Sequence, residues 1–410
     1  MLGATMHANA RLTRQALPNV AATCCLIAGF VVAALLISTA EPAGAAVRHR
    51  QVDHAPRVAP SACAHVSCVT TPTAVPGLST VKAISAGGTH DLALLKNGTV
   101  MAWGDNAFGQ LGNGTTTTSP VPVTVSGLHN VKAISAGLAH SLALLQNGTV
   151  MAWGDNEFGQ LGNGTFQDSS VPVAVKGLTN VKAISDSGFN HGLALLQNGT
   201  VMAWGMNTYG QLGDGNRTNC PTPVPVQGLS HVKAVSAGYN DSLALLANST
   251  VMAWGRNAFG QLGNGTTTDS LVPVPVAGLT HAKAIFAGGF NHSLAVLSNG
   301  GVMAWGRNYF GQLGNDSHGK STVPISLPTV TNVSALTAGF AHCLALINGG
   351  TVFAWGRDTY GQLGLGKLSK TARSPSAVRG LSNVSAIAAG GNHSLALLAN
   401  GTVLSWGISM

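Results

Sequence analysis

The sequence predicts an all-β fold, a seven-bladed β-propeller built from four-stranded antiparallel blades. Every tryptophan belongs to a Trp-Gly dipeptide, and successive copies lie 50 or 51 residues apart, a spacing typical of solenoids and propellers. Each period also divides into four short strand-like runs without the spacing of about 3.6 residues that indicates a helix. The seven tryptophans, which we expect to pack once per blade in the core, are Trp103, Trp153, Trp204, Trp254, Trp305, Trp355 and Trp406.

The four strands can be read from the second copy of the repeat. They are PVPVTV, NVKAISAG, HSLALLQ and TVMAWG, and the loop DNEFGQLGNG follows the last of them. Asn147-Gly148 separates the last two strands, and Asn-Gly between apolar runs is typical of a two-residue type I′ hairpin turn. Other copies carry Asn-Gly, Asn-Ser or Gly-Gly at this position, so we expect a hairpin in every blade.

The ring is predicted to close through its two ends. All four strands occur seven times, whereas the GQLG loop occurs six times. The seventh loop would fall where the two ends of the ring meet. We therefore expect the first proline-valine strand, at 72–75, to pair with the last Trp-Gly strand, which ends at Trp406, so that no sheet edge stays open.

Residues 1–46 are predicted to be an export signal. Arg11 and Arg14 precede an apolar run from Val20 to Ala40, and small residues that suit a cleavage site follow the run. An uncleaved membrane anchor is the alternative, because about 20 apolar residues can span a bilayer. We expect a secreted or cell-envelope protein.

An Ala/Pro/Thr-rich linker is predicted at 47–71, and the propeller at 72–410. Cys63 and Cys68 lie in the linker, close enough in sequence to form a disulfide in an oxidising compartment, although the sequence leaves this pairing open. The net charge is +8 and its excess is concentrated in 301–410, which favours an acidic partner or is simply solvated. We do not expect nucleic acid as a partner, because aromatic residues are not interleaved with the basic ones.

One face of the ring is predicted to bind a partner. If the hairpin turn marks one edge of each blade, the AGxxH and WGxN turns must meet at the opposite edge, where the copies differ most. Four neighbouring blades carry an aromatic residue two positions before the histidine position, and three carry arginine after Trp-Gly. This composition is typical of interface cores, although the rings could instead be core residues beneath the loop. The aromatic arc consists of Phe189, Tyr239, Phe290 and Phe340, and the arginines are Arg256, Arg307 and Arg357.

A basic loop whose sequence departs from the other copies is a second candidate contact. Where other copies have LGNGTTT, the sixth has LGLGKLSKTARSP, which places Lys367, Lys370 and Arg373 near the Trp-Gly loop. The alternative is a solvated loop without a function.

The repeated histidines are predicted to be structural. Six copies carry histidine at one position and the fourth carries Asp241, whereas a metal or catalytic site needs different groups that converge on one point. We expect each histidine to form a hydrogen bond that holds its own turn. The sequence also lacks GxSxG, HExxH and a phosphate-binding loop, so we predict no enzyme activity, no metal and no cofactor.

The pattern WGxNxxGQLGNG followed by VPVxVxGLxxVKAISAGxxHSLAL resembles the regulator of chromosome condensation repeat over residues 72–410. The resemblance implies a seven-bladed propeller. The AGxxHSLAL and WGDN stretches are also similar to the secreted bacterial propeller that inhibits β-lactamases, a family that binds its enzyme with aromatic residues of the AGxxH loops. In this chain the residue just before the histidine is never aromatic.

We predict an exported, monomeric, non-catalytic scaffold that binds an unknown protein partner through one face of the ring. Three alternatives remain open: an inhibitor of a secreted enzyme such as a β-lactamase, a cell-surface or carbohydrate-binding module, and a guanine-nucleotide exchange factor. The resemblance implies exchange activity for nuclear members of the family, but an export signal disfavours it here. Membrane contact is expected only through an uncleaved N-terminal segment.

Overall fold

The computed structural model describes residues 68–186 and 189–408. These residues form 28 β-strands in seven antiparallel sheets of four, which confirms the predicted all-β propeller. The predicted signal and the linker up to residue 67 lie outside the described residues. The first strand begins at Cys68, so the last residues of the predicted linker belong to the ring.

The strands are numbered in chain order, and each blade has an innermost, second, third and outermost strand. The innermost strands are β2 (Val81–Ala86), β6 (Val131–Ala136), β10 (Val181–Ser185), β14 (Val232–Ala237), β18 (Ala282–Ala287), β22 (Val333–Ala338) and β26 (Val384–Ala389). The second strands are β3 (His90–Leu95), β7 (His140–Leu145), β11 (His191–Leu196), β15 (Asp241–Leu246), β19 (His292–Leu297), β23 (His342–Ile347) and β27 (His393–Leu398). The third strands are β4 (Val100–Gly104), β8 (Val150–Gly154), β12 (Val201–Gly205), β16 (Val251–Gly255), β20 (Val302–Gly306), β24 (Val352–Arg357) and β28 (Val403–Ile408). The outermost strands are β5 (Ser119–Thr124), β9 (Ser169–Ala174), β13 (Cys220–Pro225), β17 (Ser270–Pro275), β21 (Ser321–Leu327), β25 (Thr371–Ala377) and β1 (Cys68–Ala74).

The two ends of the ring close in one blade. β1 is the outermost strand of the sheet that starts with β26, and it pairs antiparallel with β28, with Cys68 opposite Ile408 and Ala74 opposite Leu404. The predicted closure is therefore confirmed. Each of the six other blades takes its outermost strand from the stretch that follows its own GQLG loop.

The hairpin turn differs in detail from the prediction. In the first blade the N–H of Gly98 donates to the carbonyl of Leu95 at 3.0 Å, and the N–H of Leu95 donates to the carbonyl of Thr99 at 2.9 Å. Only Gly98 has positive φ, at 86°, because the loop has three residues and ends in a glycine bulge. The predicted two-residue type I′ turn, which needs positive φ at Asn97 as well, is wrong.

The core lies between blades. Each cluster joins leucines and valines of one blade to alanines and the tryptophan of the next; Leu243 and Val251, for example, pack with Ala295 and Trp305. Small alanines alternate with leucines along the second strands, which allows neighbouring sheets to approach closely. Stability is therefore a sum over junctions between neighbours, as expected for a repeat protein.

The cysteines of the ring have different states. Cys68 is disulfide-bonded, and Cys63, with which a disulfide was predicted, lies outside the described residues. Cys220 is fully buried at the start of β13, and Cys343 is fully buried in β23. Within the described part of the chain, we find no helix with the length and hydropathy needed to cross a bilayer.

Candidate partner-binding face

Two turns meet at one edge of every blade. In the third blade His191 lies opposite Gly205, and the N–H of Met206 donates to the carbonyl of Asn190 at 2.8 Å. The hairpin at Gly199 lies at the other end of the same two strands. The AGxxH and WGxN turns therefore share a face, as predicted.

The rings of the aromatic arc contact one another across four neighbouring blades. The ring centroids are 4.3 Å apart for Phe189 and Tyr239, 6.0 Å for Tyr239 and Phe290, and 5.2 Å for Phe290 and Phe340. These separations lie in the range of attractive aromatic pairs. Four residues that are about 50 positions apart in sequence thus form one continuous band.

The arc is only partly covered. Phe290 is 8% exposed, whereas Phe189, Tyr239 and Phe340 are half-buried. The rings pack against one another and retain apolar area at the surface. Such a band can supply a rigid apolar contact to a partner.

The arginines stack on a second row of aromatic rings, which the sequence analysis missed. Its signal was available, because an aromatic residue precedes the glycine of every GQLG loop. The guanidinium carbon of Arg307 also lies 5.9 Å from the ring of Phe290, which links this row to the arc. The closest pairs are Arg307 with Phe259 at 4.7 Å, Arg256 with Tyr209 at 4.9 Å, and Arg357 with Phe310 and Tyr360 at 5.1 Å each.

Two of the arginines are nearly covered. Arg256 is 9% and Arg357 6% exposed, and burial lowers the pKa of the Arg357 guanidinium. Within residues 68–186 and 189–408, neither arginine has a carboxylate within ion-pair distance. The ring faces hold the charges in place by cation–π attraction.

Acidic side chains take the arginine position in the first two blades. The Asp105 carboxylate accepts a hydrogen bond from the side-chain amide of Gln110 at 3.2 Å, and the Asp155 carboxylate accepts one from Gln160 at 2.9 Å. Burial raises the pKa of Asp155 despite hydrogen bonds from the backbone. Each of these carboxylates stabilises its own loop. The acidic residues on this face therefore have a structural role.

The histidines join neighbouring blades. Nε2 of His191 lies 2.9 Å from Oγ of Ser242, whose hydroxyl donates to the carbonyl of Gln211 at 2.9 Å. The indole N–H of Trp254 donates to the same carbonyl at 2.8 Å. Because the serine hydroxyl is already donating, His191 must carry its proton on Nε2.

The predicted hydrogen bond within the turn is wrong, because the histidine partner lies in the next blade. Serine is the partner at three junctions, and at a fourth His292 lies 3.3 Å from Sγ of Cys343. Burial lowers the pKa of four of these histidines to about 3, with the charge of other histidines or of a nearby arginine as a further cause. The four are His90, His191, His292 and His342.

Three junctions have different partners. His140 faces Gly192 instead of serine, and Nε2 of His140 lies 2.7 Å from the fully buried Asp186, without hydrogen-bond alignment. Asp241 replaces the histidine of the fourth blade, and burial raises the pKa of its carboxyl.

At the closing junction His393 meets Asp91 at 2.7 Å. Burial would lower the pKa of His393, but the Asp91 carboxylate outweighs it and the pKa is raised. A cavity of about 150 Å³ lies beside this pair and Trp103.

The basic loop differs from the other loops at the position of one polar contact. In the first blade the Asn106 amide donates to the carbonyls of Thr115 and Thr117 at 3.0 Å each, which folds the short loop. Asp358 takes this position in the sixth blade, and a carboxylate accepts only, so the Ser369 hydroxyl donates to it at 2.8 Å instead. The loop carries exposed Lys367 and Lys370, whereas Arg373 is exposed on β25 and packs beside Gly311 of the preceding loop, so its predicted place in the loop is wrong.

No group of three or more His, Cys, Asp or Glu side chains suited to a metal ion occurs among the residues that the structure describes.

Family comparisons match most of the ring. Residues 61–290 match the RCC1-like domain, and residues 299–346 and 349–397 each match the regulator of chromosome condensation (RCC1) repeat.

Solved structures share the architecture. Human WBSCR16 is 24% identical, with a TM-score of 0.71 over 82% of this chain and 90% of that chain. Yeast RCC1 (Prp20), solved with Kap60 bound, is 26% identical, with a TM-score of 0.68 over 80% of each chain. The ectodomain of the Physcomitrella patens receptor kinase CR4 is 19% identical, with a TM-score of 0.52 over 81% of this chain and 75% of that chain.

Proposed function

This chain belongs to the RCC1-like repeat family, and from that premise we propose that it is an exported, non-catalytic scaffold that binds a protein partner. The contact surface is the edge where the AGxxH and WGxN turns meet. Its central elements are the aromatic arc and the three arginines beside it.

The observation that carries the proposal is the continuity of the arc. Single exposed rings are common on protein surfaces and need no function. Here four rings touch in sequence over four blades, and three of them keep exposed area beside arginines stacked on a second aromatic row. Rigid aromatic and arginine side chains that are already packed lose little conformational entropy on binding, which favours them as hot spots.

The histidines support a scaffold over an enzyme. Five of them bond a serine, cysteine or aspartate of the next blade, and the same contact is repeated around the ring. Catalysis needs different groups that converge on one reacting atom. Yeast RCC1 (Prp20), a similar propeller, has been solved with a protein, Kap60, bound to it.

Truncating the arc is expected to abolish partner capture. The native protein is immobilised and incubated with extracellular and envelope proteins. A variant with alanine at Phe189, Tyr239, Phe290 and Phe340 is treated in parallel. Because hot-spot truncations cost about 2 kcal/mol or more each, we expect the dissociation constant of a captured protein to rise at least about 100-fold.

Phe166→Ala is the matched control, because this aromatic residue is 54% exposed in the loop between β8 and β9 of the second blade and is not part of the arc. A second variant truncates only the half-buried Phe189 and Phe340, which spares the core position of Phe290. A partner that binds native ring and folded variants equally would place the contact elsewhere and refute this face.

Export is proposed from the signal-like residues 1–46. N-terminal sequencing of the protein recovered outside the cytoplasm is expected to start near Ala46. An intact N-terminus starting at Met1 on protein found only in the cytoplasm would exclude export and favour an exchange-factor role.

A further inference from the structure

Each of the six GQLG loops buries one glutamine. Its side-chain carbonyl accepts the N–H of the aromatic residue two positions earlier; Phe259, for example, donates to Gln261 at 3.0 Å. The amide nitrogen then needs an acceptor of its own, because a buried donor without one is costly.

Two kinds of acceptor occur around the ring. In the first two blades it is the aspartate after Trp-Gly, as in the 3.2 Å bond from Gln110 to Asp105. In the third and fourth blades it is the asparagine before the second strand of the next blade, as in the 2.8 Å bond from Gln261 to Asn291.

Gln312, in the loop of the fifth blade, has neither acceptor. Arg307 takes the place of the aspartate and Ala341 takes the place of the asparagine. Gln312 is fully buried, and its Nε2 has no hydrogen-bond partner among the residues that the structure describes.

The position that asparagine would fill is linked by contacts to three other residues, and we call this group the Ala341 notch: Phe310, Gln312, Ala341 and Arg357. The N–H of Phe310 donates to Oε1 of Gln312 at 2.8 Å, and the Phe310 ring lies 5.1 Å from the guanidinium carbon of Arg357. The N–H of Arg357 donates to the carbonyl of Ala341 at 2.8 Å. Phe310 thus contacts both the Gln312 side chain and the Arg357 guanidinium, and the Arg357 backbone is bonded to Ala341.

Arg357 brings a positive charge to the notch. Its Nε donates to Oγ1 of Thr359 at 3.3 Å, and the Tyr360 ring packs against it. The nearest carboxylate in sequence, Asp358, instead accepts the N–H of Leu363 and the hydroxyl of Ser369. Among the residues that the structure describes, this nearly buried guanidinium therefore has no carboxylate within ion-pair distance to offset its desolvation.

We propose that the Ala341 notch receives the carboxylate of an acidic side chain of the protein partner, which accepts from Gln312 and pairs with Arg357. This inference rests on the proposed function, since the notch lies on the face that carries the aromatic arc. Asn291 fills the equivalent position with an amide group of three heavy atoms beyond Cβ, and a carboxylate group has the same size and planar shape. Water could satisfy the amide but not the charge, and a phosphate is larger than the group that asparagine places there.

Acetate is the probe that tests the notch directly. Acetate titrated into the native protein is expected to shift the side-chain amide resonance of Gln312 saturably in ¹⁵N NMR spectra, with the resonance assigned through Gln312→Leu. Arg357→Gln is expected to weaken the binding of acetate at least about tenfold, because it removes the positive charge that pairs with the carboxylate. Acetamide, the neutral molecule of the same shape, is expected to cause no saturable shift.

Ala341→Asn is the decisive variant, because it supplies the acceptor that Asn291 supplies in the preceding junction. We expect this variant to melt at or above the temperature of the native protein and to lose the acetate response. Lys233→Gln removes the same charge from an exposed site at the opposite edge of a blade and is expected to leave the response unchanged.

Three results would overturn the proposal: no saturable shift in the native protein, an equal response to acetamide or phosphate, or a response that survives Ala341→Asn. None of them affects the capture experiment with the arc variants. Failure of the notch is thus distinguishable from failure of the proposed face.

Discussion

Replacing Trp254 by alanine is expected to lower the free energy of unfolding by about 5 kcal/mol. The indole is fully buried between two blades, and its N–H donates to the Gln211 carbonyl at 2.8 Å. Truncation of a buried aromatic residue to alanine leaves a cavity that costs about 3–5 kcal/mol, to which the lost hydrogen bond adds about 1 kcal/mol. Urea unfolding followed by circular dichroism measures the change.

Two milder variants separate the contributions at this junction. Trp254→Phe keeps most of the ring volume and removes the hydrogen bond, so we expect a loss of about half that of alanine. Ser242→Ala breaks the link from His191 to the Gln211 carbonyl and is expected to cost about 1–3 kcal/mol. If Trp254→Ala cost no more than Ser242→Ala, packing at the junction would not be the main source of its stability.

The sequence predicts the architecture well because the repeat itself carries the information. Seven copies of each strand determine seven blades, and the count of strands at the two ends determines that β1 pairs with β28. The detail of the hairpin could not be read from Asn-Gly alone, because a glycine with positive φ serves both the two-residue turn and the three-residue loop with a bulge.

The contacts between blades were harder to predict. The partner of His191 is Ser242, which is 51 residues away and looks in sequence like one more core position of HSLALL. A pattern within one repeat indicates which residues recur, but it does not show which neighbouring copy they touch. The stacking of Arg256 on Tyr209 was not predicted for the same reason, because the Tyr209 ring belongs to the loop of the preceding blade.

The candidate face was only partly predictable for a related reason. The aromatic arc follows from one column of the repeat, and the structure places its rings in contact. The Ala341 notch depends on two columns at once, since Gln312 loses its acceptor only when Arg307 and Ala341 occur together. The missing acceptor can be recognised only from the structure, because the structure shows that both positions can supply an acceptor to the same glutamine.

Lowering the pH is expected to destabilise the folded protein through its buried histidines. The variant His191→Gln tests this prediction. Burial lowers the pKa of His191 from 6.5 to about 3, so between these values the unfolded chain binds a proton that the folded ring does not. Stability is therefore lost as the pH falls below 6.5, by about 1.4 kcal/mol per pH unit for each such histidine. Burial raises the pKa of Asp186 and Asp241, so these two groups make the folded protein more stable as the pH falls. The contribution of His191 is therefore measured as the difference between the native protein and the variant at each pH.

Glutamine does not titrate, and its amide can still donate to Ser242. We expect His191→Gln to cost stability at pH 7 and to flatten the decline between pH 6 and 4 by about 1.4 kcal/mol per pH unit, so that the difference from the native protein shrinks as the pH falls. His231→Gln, at an exposed histidine, is expected to leave the slope unchanged. Parallel curves for His191→Gln and the native protein in urea unfolding would show that His191 is protonated in the folded ring, which is incompatible with its burial beside a donating serine.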